Sequence, residues 1–571
     1  MDLIKEIVFK KISAKGLAVF RIFFALNFLF EIIWIFRYRQ LYFDTLPYLD
    51  VHFPDVTLLL LIWMGVVVCI CIGLYTRIAT IVNYIFTLVF ISSMTNYEYH
   101  MIYTYICVNF LLMFLPIQKA LSFDMLRKKI RYLNKGLFYE VEKVSKVTYL
   151  VPVFIALGLV YFDAAVVYKM KSPMWLHGLG IWLPSSLPQI TMTDSQWLLN
   201  QEIFVKFLSH LTMLFEFMFI FLFWNKKFRV IMLIIGVGLH FGILLIYPIP
   251  YFAIGYITIY LLLVPVSIWD KIGKMINTKQ KKNILYFDEK LLASCKIMIL
   301  MKFFDVFKNI NFITKSEAIS LDIYDKEKPV SNLFSIDAYH SKIIDTVILK
   351  DMIRLAPLCY VLLKIQTLLD IKENFLIERK EMVISNIVHK NPRVQNYGLL
   401  FLLGLAVFLQ IHLNHSFFKT SIPLTNSIKY VGYHYIGITG HGVFKDVHFR
   451  GYNRVYSIRY KGQLLPILDE KGLLDRYMAG GTYAYWIWRV NGPYVSKNAL
   501  SVKKGIIEYS SFWSYKNKID LSKKQEFEIV QKKVKVSFEW EENLLHKNME
   551  SPWEKIGILI WNNKTPQLIW D

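Results

Sequence analysis

The chain has 571 residues, 55% of them hydrophobic, and its mean hydropathy is +0.39. These values argue against an ordinary soluble protein and predict membrane-spanning segments. The formal net charge is +23, but the basic residues lie beside apolar runs without zinc-finger or basic–aromatic spacing, so we expect no nucleic-acid partner. None of the five cysteines lies after Cys359, which excludes a disulfide scaffold in the C-terminal region.

Nine apolar runs follow one another along the chain, and each has roughly the 18 to 25 residues that cross about 30 Å of hydrocarbon. They lie near residues 16–36, 56–75, 78–95, 99–117, 147–168, 202–224, 228–247, 250–269 and 397–415. We therefore predict a polytopic α-helical membrane bundle. Its first eight helices form a domain of residues 1–275, and the ninth helix is 397–415.

The basic residues predict an orientation for this bundle. Clusters of Lys and Arg occur at the N-terminus, after the fourth run, in the spacer NKKFR after the sixth and in KIGKMINTKQKKN after the eighth. Because cytoplasmic loops are enriched in Lys and Arg, we expect all four clusters in the cytoplasm. Lys169 then lies at the outer membrane face, and membrane lipid is an expected partner.

Two further regions have patterns of their own. Residues 282–395 open with a short strand, an amphipathic helix and a second strand, which predicts an α/β domain on the cytoplasmic side. In residues 417–571, alternating apolar and polar residues at 454–460 are followed by a turn at Lys461-Gly462, which is typical of a hairpin. Its many aromatics and few helical periods predict a mostly β domain outside the cell membrane.

Ionisable side chains within apolar runs are site candidates, because burying them in lipid is costly. They are Arg21, Glu31, Asp163, His210, Glu216 and His240, while His100 and Asn96 stand at the outer start of the fourth run. Purely structural roles stay open for them, such as hydrogen bonds that tie helices together. His210 and Glu216 are six residues apart and are not expected on one helix face.

Lys169 ends the fifth run and has two interpretations. It can snorkel, with its stem in lipid and its amine among the headgroups. Alternatively it is a pocket base: Ala165 and Val166 lie one turn back and Asp163 lies six residues back, so no local carboxylate pairs with it. An unpaired, partly desolvated lysine can act as a base near neutral pH. Position alone leaves both interpretations open.

The segment YFDAAVVYKMKSPMWLHG (161–178) matches the pattern YF-x-AG-x-K-L…W…G, and GLAVFRIFFAL, NYEYH, FLPIQKALSFD, LFEF and LHFGILL…PYFAIGYI accompany it in order. In these features residues 10–270 resemble the vitamin K-dependent γ-carboxylase-like membrane domain, also called the horizontally transferred transmembrane (HTTM) domain. The chain departs from the family at Ala164-Ala165, where the pattern has AG, and at Ser172-Pro173, which lengthen the gap before Trp175. The resemblance therefore implies the fold and the pocket of this chain more firmly than it implies the substrate.

In that family the matching lysine deprotonates reduced vitamin K, and oxygenation then yields a strong base that removes a glutamate γ-proton before CO2 adds. The resemblance implies that Lys169 is the catalytic base. With it we predict His100 and His240 as catalytic residues, and Asn96, Asp163, Trp175, His210 and Glu216 as pocket-lining residues. The implied cofactor is reduced vitamin K or a menaquinol-type quinol, without a metal.

The sequence YFDEKLLASC (286–295) resembles the start of the DCC family of thioredoxin-like proteins, a strand followed by DG-x-C-x-x-C. Asp288 matches, but Leu291 replaces the first cysteine and Cys295 stands one position beyond the second. Dithiol exchange needs two thiols, so we predict a degenerate, redox-inactive domain that docks a partner subunit. This combination indicates the bacterial inner membrane, with the C-terminal domain periplasmic or extracellular.

Two functions stay open. The first is an integral membrane carboxylase-like enzyme, quinol-dependent, that modifies an extracytoplasmic polypeptide or lipid with Lys169 as the base. The alternative is a non-enzymatic envelope- or secretion-associated scaffold that binds exported or envelope proteins. The missing thiol favours the scaffold, whereas Lys169, Trp175 and His240 favour the enzyme. In the tail, His441, Asp446 and His448 follow no firm ligand spacing, so we predict no metal site.

Overall fold

The computed structural model describes residues 8–43, 46–49, 55–91, 94, 99–134, 143–277, 283–287, 292–305, 310–314, 316–317, 333–335, 392–475, 479–492 and 495–571. Within these ranges the protein is mostly helical. The principal helices are α1 (Lys15–Arg37), α2 (Thr57–Ile72), α3 (Thr76–Phe86), α4 (Met101–Leu112), α5 (Phe123–Leu133), α6 (Val147–Lys171), α7 (Glu202–Leu222), α8 (Lys226–Ile246), α9 (Pro250–Leu263), α10 (Val266–Asn277), α11 (Leu292–Phe304), α12 (Pro392–Leu413), α13 (Thr425–Val431), α14 (Gly481–Arg489), α15 (Leu500–Lys516) and α16 (Leu544–Glu550).

Five of the described helices, α1, α6, α7, α8 and α12, are long and apolar enough to cross a membrane. The expectation that all nine runs reach that length is wrong, because α2, α4 and α9 are shorter. The 16 residues of α2 rise only about 24 Å at 1.5 Å per residue, and the left-handed conformation of Gly73 ends this helix. The described parts of the chain therefore contain helices that can span a membrane, but fewer full-length ones than predicted.

Helix α6 is irregular in a way that the sequence pattern does not reveal. It contains π-helical stretches at Phe154–Gly158 and Asp163–Tyr168 and ends in a 3₁₀ turn at Lys169–Lys171. The wider π turns change the angular position of every later side chain, and they occur frequently at functional sites. A regular 3.6-residue period therefore cannot give the directions of Asp163 and Lys169.

The described strands form three sheets. They are β1 (Lys11–Ser13), β2 (Lys143–Ser145), β3 (Asn283–Phe287), β4 (Ile310–Thr314), β5 (Leu333–Ser335), β6 (Arg454–Tyr460), β7 (Gln463–Leu464), β8 (Gln525–Lys533), β9 (Trp553–Asn562) and β10 (Thr565–Trp570). Strands β1 and β2 pair antiparallel, whereas β3 pairs in parallel with β4 and β5 in the order β4-β3-β5.

The predicted start of the 282–395 insert is confirmed as a strand–helix–strand unit, β3-α11-β4, with parallel strands. Cys295 is buried in α11. Asp288 and Leu291 of the degenerate motif lie outside the described residues, as do residues 336–391. The thioredoxin-like fold of the whole insert stays a prediction.

The C-terminal region contains an antiparallel sheet in the order β10-β9-β8-β6-β7. The predicted hairpin is confirmed, since Tyr460 lies opposite Gln463 across the turn. The region is not mostly β, because α13 to α16 are interspersed with its strands. Helix α15 was missed because buried serines, among them Ser510 and Ser514, interrupt the apolar stripe that includes Ile506 and Tyr509.

The C-terminal region packs against the loops of the helical region. Trp182 and Leu187, between α6 and α7, share a hydrophobic core with Tyr485 and Trp486 of α14. The indole N–H of Trp34 in α1 also donates a hydrogen bond to Thr482 at 3.2 Å. Parts of residues 1–275 and of residues 417–571 therefore share one hydrophobic core, and the candidate functional site lies where they meet.

Candidate functional site

Lys169 forms a buried ion pair with Glu216 of α7. Its Nζ lies 2.6 Å from Oε1 of Glu216, and the two side chains are only 5% and 7% exposed. The sequence-based statement that Lys169 lacks a carboxylate partner holds for its own helix but is wrong for the folded chain. Glu216 is 47 residues away, and the packing of α6 against α7 brings it to Lys169. The burial of the amine also argues against snorkelling.

Trp175 covers the same amine. The Nζ of Lys169 lies 4.1 Å from the centroid of the indole ring, within cation–π range. The indole N–H donates to the backbone oxygen of Phe444 at 2.8 Å. Gly180 lies against the ring, and a Cβ there would be 2.3 Å from ring carbons. The close approach at Gly180 therefore fixes the indole beside Lys169.

His240 of α8 is held by tyrosines. Its Nε2 lies 2.7 Å from the hydroxyl of Tyr161, which is itself 2.8 Å from the hydroxyl of Tyr260. The imidazole also stacks on Tyr256, with ring centroids 4.7 Å apart. Its Nδ1 has no hydrogen-bond partner among the described residues. Tyr161 therefore orients the ring and leaves Nδ1 available to a ligand.

Lys169, Glu216, Trp175 and His240 line one cavity of about 490 Å³. Much of its wall is apolar, and the apolar residues of α7 and α8 that line it are Leu208, Leu211, Phe215, Ile235, Leu239, Ile243 and Ile246. Four buried polar atoms of lining residues lack a partner within the described parts of the chain: Glu216 Oε2 and the Nδ1 atoms of His100, His240 and His441. Each unpaired buried atom costs about 1–3 kcal/mol, so their concentration here indicates a ligand site.

Residues 439–449 of the C-terminal region, which we call the capping segment, form part of the cavity wall. His441, Phe444 and His448 are among the lining residues. Asp446 fastens the segment to the end of α6, because its carboxylate accepts hydrogen bonds from the Ser172 hydroxyl and from the Met174 N–H, the latter at 3.0 Å. The sequence had raised these residues only as metal ligands.

Within the described residues, no group of three or more His, Cys, Asp or Glu side chains is arranged to hold a metal ion.

Burial, together with the positive charge of Lys445, lowers the pKa of His448 to about 4. Burial also lowers the pKa of His441 well below its usual value, and His100, Lys169 and His240 add to this effect. Both His441 and His448 are therefore neutral near pH 7.

Two further predicted pocket residues, Asp163 and His210, are not among the residues that line the cavity. Asp163 accepts hydrogen bonds from Gln410 at 3.0 Å, from Asn414 and from the backbone N–H of His441 at 2.6 Å. His210 is exposed on α7, and Asn96 lies outside the described residues. Lys169, His100, His240, Trp175 and Glu216 do meet at the cavity.

No family model, curated protein or solved structure matches the chain. The site must therefore be interpreted from its own chemistry. Sequence reasoning considered His441 only as a metal ligand, and it missed the role of Tyr161 as the partner of His240. The one local signal was the sequence Gly440-His441-Gly442, which places a histidine in a loop that can approach another segment closely.

Proposed function

We propose that the chain is an integral membrane enzyme of the γ-carboxylase-like type, which uses a quinol-type cofactor and modifies an extracytoplasmic polypeptide or lipid, with Lys169 as the base. The observation that carries this proposal is the buried amine of Lys169 on the wall of a largely apolar cavity, next to Glu216. A lysine that only anchors a helix has its amine at the membrane surface. The resemblance of residues 10–270 to the carboxylase-like domain supports the same function.

The residues around the cavity fit a reduced vitamin K or menaquinol-type cofactor. Phe215, Leu239 and Ile243 supply an apolar wall for a ring system, and Lys169 and His240 supply partners for its oxygen atoms. The volume of about 490 Å³ is within the range of roughly 300–1,000 Å³ for small-molecule sites. When bound, such a cofactor supplies an ionisable hydroxyl group and the electrons that reduce oxygen.

Lys169 accepts a proton only as the neutral amine. Transfer of its resting proton to Glu216 turns the ion pair into a neutral pair and removes the cost of burying two charges. With a quinol in the cavity, the neutral amine of Lys169 would be the group that receives the proton of its hydroxyl. The ring of Trp175 would stabilise the ammonium form of Lys169. Glu216 is thus the group that accepts the resting proton of Lys169.

We further propose a bacterial inner-membrane location with a cytoplasmic N-terminus and a periplasmic or extracellular C-terminal region. The distribution of Lys and Arg supports this orientation. Because the capping segment forms part of the cavity wall, an exported peptide or envelope protein would reach the cavity from the C-terminal region. The insert of residues 282–395 would then bind a partner subunit in the cytoplasm.

One observation favours the alternative of a non-enzymatic scaffold that binds exported or envelope proteins. The degenerate motif of the insert retains one cysteine, Cys295, and that cysteine is buried in α11. A domain that keeps a fold without its redox chemistry serves as a docking module. The same change of role in the membrane domain would leave its cavity without catalytic function.

The test uses the purified full-length protein in detergent, as the intact chain and as Lys169→Met. Bound quinone is extracted and identified, and oxygen uptake is recorded after addition of chemically reduced menaquinone. Lys206→Met is the matched control: this lysine lies on α7, pairs with Glu202 at 2.5 Å and is not among the residues that line the cavity.

We expect oxygen uptake by the intact protein and by Lys206→Met, and its loss in Lys169→Met. Equal uptake by all three proteins would refute the base role of Lys169. A folded intact protein that contains no quinone and shows no uptake would refute the enzyme proposal. Capture of exported proteins by that inactive protein would then support the scaffold.

A further inference from the structure

His441 of the capping segment lies against His100, the residue before α4. The two imidazole centroids are 4.8 Å apart, and the ring planes meet at 67°, an edge-to-face arrangement. Both histidines line the cavity, and the Nδ1 atoms of both lack partners within the described ranges. His441 is only 5% exposed. Two distant parts of the chain therefore each bring an unpaired nitrogen to one place.

The backbone around His441 is built to hold it there. A Cβ at Gly440 would lie 2.4 Å from the hydroxyl oxygen of Tyr168 in α6, so a larger residue would require this tyrosine to move. The N–H of His441 donates to Oδ2 of Asp163, while Oδ1 of the same carboxylate accepts from Gln410 in α12. Asp163 thus ties together α6, α12 and the capping segment.

The chemistry of this histidine pair limits the classes of ligand that it can bind. Neutral imidazole offers one N–H donor and one lone pair, so it can bind a hydroxyl or a carbonyl oxygen. A metal ion is not favoured, since no third ligand accompanies the pair among the described residues. A purely apolar ligand would leave both Nδ1 atoms unpaired at a cost of about 1–3 kcal/mol each.

We infer that His100 and His441 form a second polar subsite of the cavity that binds an oxygen atom of the ligand, and that Asp163 is the positioning residue that keeps His441 in this subsite. The inference rests on the proposed function for the ligand class, a ring compound with two oxygen functions. Lys169 binds one oxygen atom of this ligand, and the histidine subsite binds the other.

The test compares two probes that share a ring system. Menadione carries two carbonyl oxygens, and 2-methylnaphthalene carries none. Their dissociation constants are measured by isothermal titration calorimetry with the intact detergent-purified protein and with His441→Leu, His441→Gln and Asp163→Asn. His434→Gln is the control, because His434 is in the same region but does not line the cavity. Thermal unfolding establishes that each variant is folded.

We expect the intact protein and His434→Gln to prefer menadione. His441→Leu should reduce this preference about 5- to 10-fold, as for one lost hydrogen bond, and His441→Gln should reduce it less. Asp163→Asn should also reduce the preference, but should add nothing in the His441→Leu background, because it acts through His441. A purely structural role would lower the affinity for both probes equally.

An unchanged preference in folded His441→Leu and His441→Gln would overturn the inference, as would an intact protein with no preference for menadione. The proposed function fails separately. A preference that depends on His441, in a protein without oxygen uptake, would support the subsite and refute the enzyme. Oxygen uptake that depends on Lys169, together with a menadione preference that does not depend on His441, would support the enzyme and refute the subsite.

Discussion

Lys169 and Glu216 are 47 residues apart in the sequence, yet Nζ of the lysine and Oε1 of the glutamate are 2.6 Å apart in the fold. The pair joins the irregular end of α6 to the middle of α7. It also leaves Oε2 of Glu216 without a partner among the described residues, facing the cavity.

Lys169→Met should destabilise the protein by about 3–5 kcal/mol, because it leaves the Glu216 carboxylate buried without its partner. Lys169→Met combined with Glu216→Leu should recover most of this loss, since no charge is then buried. The measurement is thermal unfolding in detergent, followed by tryptophan fluorescence. Lys206→Met, which breaks a half-exposed pair, should change stability by less than about 0.5 kcal/mol. A double variant as unstable as the single one would contradict this account.

Gly180→Ala should displace the indole of Trp175, because the new Cβ would lie 2.3 Å from ring carbons. We expect a loss of about 1–3 kcal/mol in stability from overpacking, and a fall in oxygen uptake as the ring leaves Lys169. Gly65→Ala is the control: it lies in α2 with nothing within 4 Å of the added Cβ, and it should be neutral or stabilising. Equal behaviour of the two variants would show that Gly180 does not fix Trp175.

Ser172→Ala should loosen the capping segment, because it removes a hydrogen bond to the Asp446 carboxylate. Bonds to charged groups contribute about 1.5–3 kcal/mol, so local opening should become at least roughly tenfold more frequent. Hydrogen exchange with mass spectrometry should then report faster exchange of amides in residues 439–449. Ser537→Ala, which removes an exposed hydrogen bond to the backbone oxygen of Glu539, should leave this exchange unchanged. No difference between the two variants would mean that Ser172 does not hold the segment.

The contribution of His448 to stability should fall as the pH is lowered from about 6.5 to about 4. The pKa of His448 is lowered to about 4 in the folded protein, whereas an unfolded histidine titrates near 6.5. Between these values the unfolded chain binds the extra proton, so protonation favours unfolding. His441 contributes in the same direction.

The effect of His448 should be on the order of 1–2 kcal/mol between pH 7 and pH 5. Apparent melting temperatures of the intact protein and of His448→Gln, measured across this range, check the expectation. The slope of melting temperature against pH should be smaller in His448→Gln than in the intact protein. Identical slopes would assign the pH dependence to other groups.

The amino-acid sequence by itself determined the features that depend on local periodicity. Apolar runs long enough to span lipid, the hairpin at residues 454–464 and the start of the α/β insert could all be predicted, because neighbouring residues specify them. The resemblance to the carboxylase-like domain also directed attention to Lys169 and Trp175. Helix lengths were less predictable, since capping at Gly73 shortens α2 within an unbroken apolar run.

Only the tertiary structure decided which groups surround Lys169. Glu216 reaches it across two packed helices, and His441 enters the cavity from the C-terminal region. Asp163 lies in the same helix as Lys169, but its carboxylate binds α12 and the capping segment instead of the cavity. These relationships depend on contacts between segments far apart in the chain and on the π turns of α6. Neither leaves a periodic signal in the sequence.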